Sequence, residues 1–156
     1  RQRQMCIRDS SYICEVHKMC AVDVPVSLRG KPRNVPVNIG GTTWKPQFPI
    51  ESQLQEELSE ILKIENQTDC ALSIMFWLMR KQIFLDGNKR TAMLIANKIL
   101  ISKGCGIIAI QEQDLETFGK KLIKFYETND MTDVKDFVYK NELTGFDSNK
   151  AVQENN

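Results

Sequence analysis

The longest uninterrupted apolar pattern in the chain runs from Cys70 to Met79 (Cys-Ala-Leu-Ser-Ile-Met-Phe-Trp-Leu-Met). It is apolar on nearly every face and predicts a buried central helix. The polar connector from Glu65 to Asp69 precedes it, with Thr68 or Asp69 expected as its N-cap. After an Asp-Gly-Asn break the helical pattern resumes from Met93 to Ser102, and Gly104 is placed to close it in the left-handed conformation. Amphipathic segments surround this pair. Ser11 to Ala21 carries Ile13, Val16 and Cys20 on one face; Ile50 to Ile64 carries Leu54, Leu58 and Ile61 against an acidic outer face. Asp114 to Glu127 places Phe118, Leu122 and Phe125 together, and a last helix capped by Thr132 or Asp133 is expected through Val138 and Leu143. The pattern predicts a mainly α fold of roughly six helices around one buried helix.

One region has a different period. Val35, Val37 and Ile39 alternate with polar or proline positions, Gly40-Gly41 makes a turn, and Thr42, Thr43 and Trp44 return. This predicts a small β-hairpin whose first strand is an edge, because Pro36 has no N–H to give a ladder. Ile107 to Ile110 reads as a short extended segment beside the core.

The break between the two central helices carries the candidate chemistry. Lys89 and Arg90 open the second helix, where cations oppose the macrodipole and typically cost about 0.3–1 kcal/mol each. An anion held by the free first-turn amides and these two side chains would offset that cost. Asp86 is then placed to hold a hard cation such as Mg²⁺ against the anion. Asp-Gly-Asn alone is also a common surface turn. The spacing excludes a calcium loop, since Arg90 stands where a further ligand is needed, and it lacks the glycine order of a Walker A loop.

Phe84-x-Asp86-Gly87-Asn88-Lys89-Arg90, extending through Thr91-Ala92, resembles the signature of the Fic/Doc (Fido) domain family. The resemblance covers about Tyr12 to Gly145 and implies a Fido fold with a β-hairpin flap. It implies that the loop binds ATP or another nucleotide triphosphate with Mg²⁺ at Asp86, the phosphates lying on Gly87, Asn88, Lys89 and Arg90. The activity it implies is transfer of AMP, or another phosphate-containing group, to a hydroxyl of a target protein. The flap residues Val35, Val37, Ile39 and Thr42 are implied to dock the target by strand addition, and Gly30-x-x-Arg33 resembles the approach to that flap.

The chain departs from the signature at two positions: Gln82 stands where the family has its catalytic His, and Met93 where many members have a second Arg. Lys89 in place of Gly resembles the Doc branch, which transfers phosphate. A neutral amide cannot take a proton from a hydroxyl, and loss of a general base costs roughly 10²–10⁴-fold in rate. Three readings stay open: a transferase weakened at Gln82, a non-catalytic nucleotide- or peptide-binding module, and a Doc-like phosphotransferase toxin. The family's self-inhibition motif has no convincing match, since Ser11-x-x-x-Glu15 and Ser52-x-x-x-Glu56 are followed by Val16 and Glu57. The resemblance leaves room for a separate inhibitor or antitoxin partner.

Composition narrows the remaining classes. At 156 residues, 42% hydrophobic and 26% charged, the chain fits one domain with a real core. A net charge of +1 argues against general nucleic-acid binding. No apolar run is long enough to span a bilayer, and five cysteines without a Cys-x-x-Cys pair suit a reducing cytoplasm. Cys14-x-x-His17-x-x-Cys20 has no fourth ligand and favours small core residues over a metal site. Residues 1–10 match no period and read as a non-native or disordered leader, 11–145 as the domain, and 146–156 as a flexible polar tail.

Overall fold

The computed structural model describes residues 9–145. Six α-helices are present among them: α1 Ser10–Cys20, α2 Glu51–Ile61, α3 Gln67–Lys81, α4 Asn88–Ser102, α5 Leu115–Thr128 and α6 Thr132–Asn141. Every residue of α3 from Cys70 to Met79 is buried, so the continuous apolar run is the central helix, as its pattern requires. Against it pack α4 through Ala92, Ile95, Ala96, Ile99 and Leu100, α5 through Phe118, Leu122 and Phe125, and α2 through Leu54 and Leu58.

The caps show how local chemistry sets the ends. Asp9 caps α1 by accepting from the Tyr12 N–H, so Asp9 and Ser10 belong to this helix rather than to a leader. Residues 1–8 and 146–156, the rest of the expected leader and tail, lie outside the described residues. Asn66, not Thr68 or Asp69, caps α3 by accepting from the Asp69 N–H at 2.9 Å. The reason is that α3 starts at Gln67, so Thr68 and Asp69 already lie in its first turn. Gly104 takes the left-handed conformation (φ 65°) just beyond α4, and Cys105 N–H donates back to the Leu100 carbonyl at 2.8 Å.

The paired strands are not the expected hairpin, and one of them falls in the extended segment expected from Ile107 to Ile110. β1 (Ile107–Ile108) pairs antiparallel with β2 (Leu143–Thr144), Ile107 opposite Thr144 and Ile108 opposite Leu143. Leu143 is thus a strand residue; α6 ends at Asn141. The segment 35–44 turns back at Gly40-Gly41, with Gly41 at φ 82°, yet its two arms form no ladder. Pro36 and Pro46 remove donors from either arm, and the carbonyls of Val35, Pro46 and Gln47 are taken by the Arg33 side chain. The reversal forms; the hairpin pairing does not.

Among the described residues no helix is long and apolar enough to cross a membrane.

Candidate functional site

The loop from Gln82 to Gly87 joins the buried α3 to α4 and is fixed from within by Asn88. This residue is 7% exposed. Its Oδ1 accepts from the Phe84 N–H at 2.9 Å, and its Nδ2 donates to the Phe84 carbonyl at 2.8 Å and to Gln82 Oε1 at 3.1 Å. Gln82 sits past the end of α3 in the left-handed region (φ 48°), its Nε2 donating to the Met79 carbonyl at 2.6 Å. Both ends of its amide are therefore engaged inside the protein. Asn88 and Gln82 act here as braces of the loop.

The loop is clamped from outside by His17 of α1. Its Nδ1 accepts from the Gly30 N–H at 2.8 Å, which leaves Nε2 as the donor to the Asp86 carbonyl at 2.8 Å. The ring is 1% exposed and stacks on Phe84 at 3.8 Å between centroids. His17 is thus packed in the interior with both ring nitrogens committed to backbone groups. Cys20 Sγ lies against Thr91 Oγ1 instead, and no group of three or more ligating side chains is found among the described residues. Gly30 and Gly87 are required by this packing. Both have positive φ (70° and 79°); a side chain at Gly30 would strike the Cys14 carbonyl oxygen, and one at Gly87 would press on His17.

On this frame Asp86, Lys89 and Arg90 are exposed along one side of a cleft of about 500 Å³, with Gln82, Gly87 and Asn88. Val37, Asn38, Ile39 and Gly40 form the other side. Asp86 Oδ1 accepts from the Gly87 N–H at 2.6 Å, and its second carboxylate oxygen has no partner among the described residues. No side chain caps α4, and the first amide of its ladder to bond back is that of Thr91, to the Gly87 carbonyl at 3.0 Å. The amides before it are open at the cleft. Among the described residues Lys89 forms no ion pair.

Arg90 departs from the expectation of a cation waiting for a ligand. Its guanidinium is bidentate on Asp23 (2.8 and 3.1 Å) and also donates to the Cys20 carbonyl at 2.9 Å. The hydrogen bond from Arg90 holds the Asp23 carboxyl well below the usual range, at about 2, and the pair raises the Arg90 guanidinium in turn.

Of the four expected flap residues, Val37 and Ile39 line the cleft. Thr42 does not: its hydroxyl donates to Glu127 Oε1 at 3.0 Å and accepts from the Trp44 N–H. Val35 is exposed, with its carbonyl on Arg33. Sequence reasoning missed Asp23 and the role of Arg33. Neither pairing leaves a local signal, since Asp23 meets Arg90 across 67 positions and Arg33 meets Gln82 across 49.

The geometry is that of a helix N-terminus with an acid, open amides and two bases facing an extended segment. The Fic/DOC family model matches residues 8–100, more than half of the chain, and the chain belongs to that family. Among solved structures, the BepC protein of Bartonella tribocorum, a VirB-translocated effector with bound AMPPNP, is similar in fold. Its TM-score is 0.63 at 15% identity, covering 88% of this chain and 75% of that one. A search of curated proteins found no match.

Proposed function

We propose that this Fic-family domain binds a nucleotide triphosphate in the cleft between the α3–α4 loop and residues 37–40, and that its transfer of AMP or phosphate to protein hydroxyls is weak. The observation that carries the reading is the joint exposure of Asp86, Lys89 and the uncapped α4 amides on one wall of the cleft. The AMPPNP in BepC supports a nucleotide as ligand.

The donor set fits Mg²⁺ bound jointly with phosphate. Asp86 offers one unshared carboxylate oxygen, and among the described residues no group of three or more ligating side chains builds an all-protein cage, which suits Mg²⁺ held jointly with phosphates. When bound, the ion would neutralise phosphate charge. The chain's own residues supply the amides that receive phosphate oxygens and a carboxylate that orients the ion.

Gln82 supports the weak-transfer part. An amide has no basic site near neutral pH, and this one is hydrogen-bonded at both ends inside the loop. The non-catalytic binding module is favoured by the same observation. Incubation with labelled ATP and Mg²⁺ and a cell lysate, beside Gln82→His and Asp86→Ala, decides between them. Labelling only by Gln82→His assigns the wild type to binding alone. Labelling by wild type that Asp86→Ala abolishes establishes active chemistry. Absence of any ATP- and Mg²⁺-dependent thermal shift overturns the reading.

A further inference from the structure

The second wall of the cleft has no regular structure to hold it, and Arg33 stands at the point where that matters. No backbone-to-backbone hydrogen bond joins any two residues of 34–49. Yet Val37–Gly40 keep a defined position opposite Asp86 and Asn88. The Arg33 side chain is 6% exposed and no Asp or Glu pairs with it among the described residues. Its guanidinium instead donates to four backbone carbonyls: Gln82 at 2.6 Å, Val35 at 2.9 Å, Gln47 at 2.6 Å and Pro46 at 3.3 Å. Its own N–H donates to the Ile83 carbonyl at 2.9 Å.

These partners belong to three stretches of chain. Val35 is on the outgoing arm of the reversal, Pro46 and Gln47 are on the returning arm, and Gln82 and Ile83 open the loop after α3. A planar guanidinium with five donors in a fixed fork can hold all three at once; a lysine ammonium with three donors on a flexible stem cannot match that geometry. Burying a charge without a counter-charge is costly unless its donors are satisfied, and here carbonyl dipoles satisfy it. Burial correspondingly lowers the Arg33 pKa from its ordinary value, which still leaves it charged at neutral pH.

We propose that Arg33 is a positioning residue for the cleft: it substitutes for the missing strand ladder, and its fork fixes the spacing between the extended wall and the α3–α4 loop. The far end of the reversal has separate anchors. The Arg80 guanidinium lies over the Trp44 ring at 3.6 Å, and Thr42 bonds Glu127. Loss of Arg33 therefore frees the near part, residues 34–40 and 82–84, more than residues 42–45. The proposal concerns the geometry of the cleft; only its binding arm rests on the phosphate reading above.

The test is backbone hydrogen exchange by mass spectrometry on the full chain, for wild type, Arg33→Lys and Arg33→Gln, with ATP–Mg²⁺ titration of each. The expected result is exchange at least about tenfold faster at the hydrogen-bonded amides of residue 33, Gln82 and Phe84 in both variants, while Cys70–Met79 keeps its protection. ATP–Mg²⁺ affinity falls about tenfold with it, and Arg33→Lys, which retains the charge, gives no rescue. Equal acceleration throughout the domain, or unchanged exchange at residue 33 and 82–84 in the folded lysine variant, overturns the proposal. If neither variant folds, slow exchange of the Arg33 Nε–H in wild type, read by NMR, supports the clamp and rapid exchange refutes it. A wild type that binds no ATP while the exchange pattern holds would sink the phosphate reading and leave the clamp standing.

Discussion

His17 and Asp86, 69 positions apart, meet through the backbone: Nε2 of the histidine donates to the aspartate's carbonyl at 2.8 Å. The Asp86 carboxylate is therefore aimed by a bond made at its own peptide group, from a side chain on another helix. Replacing His17 by Ala removes a stacked ring and strands the Gly30 N–H and the Asp86 carbonyl. The expected cost is about 3 kcal/mol, combining a core truncation with lost buried hydrogen bonds. Urea unfolding of wild type and His17→Ala checks it; a midpoint shift worth less than about 1 kcal/mol would contradict the clamp.

Asp23 competes with any anion for Arg90. The pair is about half exposed on both sides, so solvent and salt screen it and it holds Arg90 only weakly. Asp23→Asn should accordingly tighten ATP–Mg²⁺ binding by about two- to fivefold, an effect that shrinks with added salt. The sign with pH follows from the depressed Asp23 carboxyl. Its contribution is present above the ordinary carboxylate pKa and is lost only as pH falls toward about 2. The difference between wild type and Asp23→Asn should therefore be constant from pH 5 to 8 in isothermal titration; a change within that range would assign it to another group.

What the sequence made legible tracks the range of the interaction. The continuous apolar run of α3 and the spacing of Leu54 with Leu58 or Phe118 with Leu122 are local patterns, and those helices lie where the patterns put them. Gln82 to Arg90 are contiguous, so the loop and its open amides could be read as one unit. The 35–44 region shows where this stops. Alternation and Gly40-Gly41 predict pairing, but whether two arms form a ladder depends on what else claims their carbonyls. Arg33 claims Val35, Pro46 and Gln47, and nothing in the spacing of those residues announces it. The Asp23–Arg90 pair is hidden for the same reason.

Asn88 should matter more to the fold than Gln82. Asn88→Ala leaves the buried Phe84 N–H and carbonyl without partners, and should cost about 2–3 kcal/mol. Gln82→Ala loses the bonds to Met79 and Asn88 at a part-exposed site and should cost about 1 kcal/mol. Since the two side chains touch, the double variant should fall short of the sum by at least about 0.5 kcal/mol. Asn88→Asp keeps the acceptor for the Phe84 N–H but sets a buried carboxylate oxygen against the Phe84 carbonyl and Gln82 Oε1, and should be at least as destabilised as Asn88→Ala in chemical unfolding at neutral pH.

Glu142 places an acid where water does not reach. It is 2% exposed, one carboxylate oxygen accepts from the Gln111 N–H at 2.7 Å, and the other has no hydrogen-bond partner among the described residues. Burial, reinforced by the facing Asp114, raises its pKa above the ordinary value. A raised acid pKa means that the folded chain holds the proton more tightly than the unfolded one. Stability at this junction is then fully present below the unfolded pKa of about 4.3 and is lost as pH rises through the folded value. Glu142→Gln removes the titration, since an amide can still accept from Gln111 and brings an N–H in place of the unpartnered oxygen. The variant should be about 1 kcal/mol more stable than wild type at pH 7 and indistinguishable from it near pH 4. Thermal unfolding followed by circular dichroism across that range measures both ends. A variant less stable than wild type at pH 7 would mean that the ionised carboxylate, not the protonated acid, is what the fold between α6 and β1 uses.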